Sequence, residues 1–193
     1  PQQRVEVFLD GKRREVILSG TKLNPDFRFG KELQKKWDAL YAKAVKAGSK
    51  KNPDWDAIGE ICLKIIEAEP EYYPARFNYA VSLLNRKRMD EAESILTALV
   101  AEYPEYLFAR SALLQIFMRD RRTKEADELL RTTVIPTETH PAAMSAWLVA
   151  QALYYESVEN FKEARKFVTH AHEIFPDNPR VTDLWEKYRD WEP

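Results

Sequence analysis

The sequence repeats itself with a step of 34 residues, and that step restricts the folds open to it. Tyr79, Ala80, Leu83, Ala92 and Leu96 are matched by Leu113, Leu114, Phe117, Ala126 and Leu130, each partner 34 places further on. Pro70 and Pro104 keep the same step. A third copy, Ala152, Tyr155, Ala164, Val168 and Pro176, has the same internal spacing. A period of this length with no catalytic signature points to stacked helix–turn–helix units. One such unit cannot bury its apolar face alone, so at least three must stack, and stacks of this kind mostly serve as binding surfaces.

Composition agrees with a helical stack. The 193 residues suit one domain, or one domain with a small appendage, and 45% hydrophobic residues are ample for a core. Only 5 glycines among long helix-forming runs argue against an all-β or doubly wound fold. Thirty basic and 31 acidic residues nearly cancel, so net charge by itself suggests neither nucleic acid nor an acidic partner. Cys62 is the single cysteine, which excludes an intramolecular disulfide. Set between Ile61 and Leu63, it reads as a small buried hydrophobe, with a reactive thiol as the alternative. No stretch approaches the ~18 apolar residues of a membrane span, and no secretory signal is visible. A cytoplasmic protein is the default expectation. Because the chain starts at Pro1, a piece of a longer protein is also expected.

The first 29 residues differ from the rest. Val5, Val7 and Leu9 alternate with Glu6 and Phe8, Asp10-Gly11 supplies a turn, and Val16-Ile17-Leu18 follows. Alternation on both sides of an Asp-Gly predicts a β-hairpin. A lone hairpin is marginal in water, so it must pack on the helices or on a domain outside this sequence. From about residue 30, helix-period patterning takes over. The first helix carries Leu33, Trp37, Leu40, Tyr41 and Ala44, and Asp54 caps a second that presents Ile58, Ile61, Cys62 and Ile65. Helices are predicted over 73–86, 89–103, 107–120, 123–133, 142–157, 160–175 and 179–191. Between the second and third of these copies Val134–Pro141 stretches the step from 34 to 38 residues, so this connection bulges.

Small residues explain the pairing of helices. Ala80 with Ala92, and Ala152 with Ala164, fall where two antiparallel helices approach most closely, and a bulky side chain there would push the axes apart. Pro104 and Pro176 end their helices and fix the turn into the next unit. At these positions the chain resembles the tetratricopeptide repeat family. Ala80 and Ala152 match the small residue of its first helix, and Leu83, Phe117 and Tyr155 the large apolar one. Met89 and Phe161 match the residue opening the second helix, Ala92, Ala126 and Ala164 its small residue, and Pro70, Pro104 and Pro176 the closing proline. The resemblance implies an all-α superhelix, a right-handed solenoid of four units over about 33–70, 73–106, 107–140 and 145–178. A capping helix over 179–193 and the small N-terminal β-hairpin complete it. Leu114 and Ile58 depart from the pattern, so their junctions are expected to be splayed or shifted.

Chemistry is sparse. Of three histidines, His170 and His172 share a helix but lie two apart, so they cannot chelate one metal as an i, i+4 pair would. There is no Gly-rich phosphate loop, HExxH or Gly-x-Ser-x-Gly. No enzyme, cofactor, metal or catalytic residue is therefore expected. The family resemblance implies instead a concave groove lined by the first helix of each unit. That register assigns Phe77, Val81 and Leu84, then Phe108, Ser111, Gln115, Met118 and Arg119, then Val149 and Leu153, with the fourth unit adding Ala146 and Glu156. So apolar a strip reads as a peptide or protein site, unless the hairpin or tight packing fills it. One subgroup of the family grips chaperone C-terminal tails with Lys, Asn and Arg. Asn78 matches one such position, but Asp38, Phe108 and Ala112 stand where basic residues are needed, so that clamp is not expected.

The turns within units are basic, with Lys46, Lys50 and Lys51, then Arg86, Lys87 and Arg88, then Arg121, Arg122 and Lys124. Those between units are acidic, with Glu67, Glu69, Glu71, Glu102 and Glu105. This asymmetry complements helix dipoles in part. It leaves open a basic edge for an acidic partner, while nucleic acid is disfavoured because no aromatics interleave with the cations. The partner is thus expected to be a protein or peptide of unknown identity, with a spacer or self-association module as a further reading.

Overall fold

A computed structural model describes residues 2–9, 12–19 and 54–190, together with helical Lys35, Ala39 and Ala42. The remainder of the expected first helix, with Lys46, Lys50 and Lys51, lies outside the described residues. Contacts divide the chain into two compact units, residues 24–102 and residues 1–23 together with 103–193.

In the unit 24–102 three helices are described, α1 (Trp55–Ala68), α2 (Tyr73–Asn85) and α3 (Met89–Glu102). Asp54 caps α1 by accepting the Ala57 N–H at 3.0 Å. Ile58 and Cys62 of α1 are buried, with Trp55, Ile61 and Tyr79 packed around them. Burial pushes the Cys62 thiol up to about 12, which keeps it protonated and inert. Gly59 provides the close approach to α2, since a Cβ there would come 3.0 Å from Ser82 Oγ. Ala80 and Ala92 are fully buried between α2 and α3, beside Leu83, Leu96 and Leu99. A bidentate pair, Arg76 to Glu102 at 2.6 and 2.8 Å, ties the start of α2 to the end of α3.

The other unit carries α4 (Leu107–Arg119), α5 (Thr123–Arg131), α6 (Pro141–Ser157), α7 (Phe161–Ile174) and α8 (Pro179–Tyr188). Its hairpin pairs β1 (Gln2–Leu9) antiparallel to β2 (Lys12–Ser19), with Leu9 opposite Lys12. The lengthened connection does more than bulge. Glu138–Thr139 forms a short strand, β3, parallel to β2, and the Ile17 N–H donates to the Thr137 carbonyl at 2.8 Å. The sheet order is β1-β2-β3, so the hairpin is stitched to its helical unit through the connection that departs from the regular step. Val7, Val16 and Leu18 are buried on one face of the hairpin.

Within the same unit Ala152 and Ala164 bring α6 and α7 together, and Tyr155 stacks on Phe167 with centroids 5.3 Å apart. Helix α8 packs on both. Tyr188 Oη donates to Glu156 at 2.7 Å, Lys187 Nζ reaches the same carboxylate at 2.6 Å, and Trp185 stacks on His172 at 4.6 Å. The α4–α5 pair has the bulky Leu114 where α2–α3 and α6–α7 have alanine. Leu114 is fully buried, and Leu129 is buried where the repeat register points to Leu130. Buried Arg110 holds this pair, donating to the Pro104 carbonyl at 2.5 Å and to Leu129 O and Thr133 Oγ1 at 3.1 Å.

One turn recurs in three units. Lys87, Arg121 and Glu159 have φ of 63°, 57° and 59°, and each follows the first helix of its unit. The next residue's N–H closes the helix end, Arg88 on Leu83 O (2.9 Å), Arg122 on Phe117 O and Asn160 on Tyr155 O (both 2.8 Å). This is the left-handed helix terminus that glycine normally occupies, because an L side chain there costs about 1 kcal/mol or more.

Candidate functional site

Within the unit 24–102, Phe77, Val81 and Leu84 follow one another by three and four residues along α2 and are half-buried. In the other unit, Phe108 and Met118 on α4 and Leu153 on α6 are also half-buried, while Gln115 and Arg119 are exposed. Phe108 meets Tyr106 edge-to-face at 5.9 Å. Ser111 and Val149 must be taken out of any accessible lining, since they are only 4% and 3% exposed. The Ser111 hydroxyl is used within its helix, donating to Leu107 O at 2.7 Å. Val149 lies in the run Trp147-Leu148-Val149-Ala150, all buried, so α6 has no wet face at that level.

The basic turns are largely neutralised. Arg86 pairs with Asp56 at 2.7 Å, Arg88 with Glu91 at 2.6 Å and Arg119 with Asp120 at 2.7 Å. Arg122 pairs with Glu125 at 3.0 Å and lies 4.6 Å over the Phe117 ring. The Arg122 hydrogen bond holds the Glu125 carboxyl below its usual range. Lys87, Arg121 and Lys124 are exposed and form no ion pair among the described residues.

A pocket absent from the sequence reading opens beside these turns. It has a volume of about 540 Å³ and lies between the α4–α5 and α6–α7 turns of one unit. Met118 and Val158, with the nearly buried Phe117, give it apolar walls, and Arg121 and Glu159 stand at its edge. Tyr154 forms part of the floor, its hydroxyl donating to Asp127; burial, reinforced by that bond, raises its pKa. No motif marks this pocket, because its parts come from three helices and two turns spread over 42 residues of sequence.

The three histidines have structural surroundings. His140 caps α6, its Nδ1 accepting the Ala142 N–H at 3.1 Å. Burial lowers the pKa of His140, and burial outweighs Glu173 and the Glu6 main chain in lowering that of His170. Depressed folded values mean that the unfolded chain binds these protons first. Their contribution to stability is therefore complete above the unfolded value near 6.5 and is lost as pH falls through the folded values. For His140, protonation also removes the acceptor and sets a cation at a helix N-terminus. His140→Asn keeps a capping oxygen without titrating, so its thermal midpoint should fall less between pH 7 and 5 than that of the parent chain. Equal slopes in melts across that range would refute the capping role.

Among the described residues no group of three or more His, Cys, Asp or Glu could hold a metal ion, and no helix is long and apolar enough to cross a membrane. Consecutive antiparallel helices with alanine at their closest approach, joined by one recurrent turn, define an all-α helical-repeat protein with a small N-terminal hairpin. A tetratricopeptide repeat family model matches residues 51–115. The crystal structure of a thermophilic TPR protein from Thermus thermophilus superposes with a TM-score of 0.55 at 15% identity, covering 79% of each chain. At that identity the likeness concerns the fold. No curated protein sequence matches the chain.

Proposed function

We propose that this chain is a non-enzymatic adaptor that binds a segment of a partner protein through the apolar side chains left at the surface of its first helices. Tetratricopeptide repeats generally mediate protein–protein interaction. The observation that carries the reading to particular residues is the stripe Phe77, Val81 and Leu84 on α2, half-buried although α2 already spends Ala80 and Leu83 on its own core. Phe108, Met118 and Leu153 are the corresponding side chains of the other unit. Large apolar groups clustered at a surface are a common mark of a protein-binding site. A cytoplasmic setting suits such an adaptor.

Affinity capture with the full chain, followed by mass spectrometry, tests this. Phe77→Ser together with Phe108→Ser should reduce recovery of the specific partners at least tenfold while the helical circular dichroism is kept. Truncation of interface aromatics commonly costs ~2 kcal/mol or more, about thirtyfold in affinity. Undiminished capture by a folded double variant would overturn the proposal.

A further inference from the structure

The pocket between the α4–α5 and α6–α7 turns is distinct from the first-helix surfaces, although Met118 contributes to both. Its volume of about 540 Å³ falls within the ~300–1,000 Å³ of ligand clefts. Met118 and Val158, its accessible apolar walls beside the nearly buried Phe117, suit an apolar group. Val158, on its wall, is 37% exposed, and Phe161, which opens the following helix, is 39% exposed.

The edge of the pocket narrows the choice of occupant. Arg121 and Glu159 have opposite charges, both are exposed, and neither forms an ion pair among the described residues. The arginines on either side of Arg121 in sequence are different, since Arg119 and Arg122 are both paired with neighbouring acids. Arg121 and Glu159 also occupy left-handed backbone positions, with φ of 57° and 59°, where glycine would be less strained. The same turn recurs at Lys87, so the backbone conformation belongs to the repeat, while the side chains of Arg121 and Glu159 are what it presents at this pocket.

We propose that this pocket is a second peptide site, taking one large apolar side chain of a partner flanked by an acidic and a basic residue. The carboxylate pairs with Arg121 and the cation with Glu159, while the apolar group fills the cavity. A complementary pair of charges orients the segment and disfavours apolar peptides that lack them.

The test uses the full chain labelled with nitrogen-15 and titrated with acetyl-Gly-Glu-Leu-Lys-Gly-amide. A control peptide has serine in place of both charged residues. The charged peptide should shift amide resonances within 117–126 and 154–161 and bind about fivefold more tightly than the control. Arg121→Glu or Glu159→Arg alone should weaken it five- to tenfold, about what loss of one rim pair and gain of one repulsion provide. The two reversals together should restore binding to within about threefold, since the peptide can turn round. Arg121→Gly and Glu159→Gly should each raise the thermal midpoint by about 2–4 °C and yet weaken the peptide, an outcome that a purely structural role could not give. Absence of shifts at these residues with millimolar peptide, or unchanged affinity in both single reversals, would overturn the proposal. So would shifts of the same resonances on diluting the free protein, because the occupant would then be a second copy of the chain.

Discussion

Replacing Trp147 by alanine is expected to destabilise the chain by about 3–5 kcal/mol, a large share of what a domain of this size possesses. Trp147 is 1% exposed and is the largest of the fully buried side chains. It sits on α6, which packs against α4, α7 and α8 within one compact unit, and a void in so close-packed an interior relaxes only in part. Its indole nitrogen is buried without a hydrogen-bond partner among the described residues. Trp147→Phe therefore forfeits volume but no such bond, and should cost much less, within about 1.5 kcal/mol. Urea unfolding followed by circular dichroism measures both. Equal losses from the two substitutions would mean that the indole nitrogen has a partner, or that the site tolerates the cavity.

Arg110→Ala is expected to cost about 2–4 kcal/mol. Its guanidinium is 3% exposed and links the Pro104 carbonyl, ahead of α4, to Leu129 and Thr133 at the end of α5. Burial lowers its pKa, but an arginine starts high enough to remain charged. The Leu129 carbonyl keeps the hydroxyls of Thr132 and Thr133 when Arg110 is lost, so the cost falls on the Pro104 carbonyl and on the void. Arg110→Lys should not rescue it, because an ammonium cannot reproduce the fork that reaches both ends. Hydrogen exchange over residues 104–133 should quicken in both variants. Full rescue by lysine would show that charge, rather than geometry, matters here.

The residues that disclose the fold are those whose chemistry the packing cannot vary. Alanine at positions 80, 92, 152 and 164 recurs because two helix axes must come close, and that necessity leaves a sequence pattern. Glu138–Thr139 cannot be read as a strand, since two residues show no alternation, and only the four extra residues in the step hint at another use. Arg110 is equally hidden. Nothing in its neighbours marks an arginine whose acceptors lie at Pro104 and Leu129, far along the chain. Val149 is misplaced by the repeat register for a related reason. The run Trp147-Leu148-Val149-Ala150 is apolar and buried all round α6, and such a stretch reveals its burial only once its surroundings are known. The recurrent left-handed turn carries no signal at all, because lysine, arginine and glutamate stand where glycine would have announced it.

The central claim, that partners are held by the apolar side chains of the first helices, is tested most directly by site-specific photocrosslinking. A benzophenone side chain placed at 77, 81, 108 or 153 should crosslink to a captured partner. The same group at Ser94, Glu128 or Lys166, on the outer faces of second helices, should not. Crosslinks confined to these second-helix positions, with none from the first helices, would contradict the account.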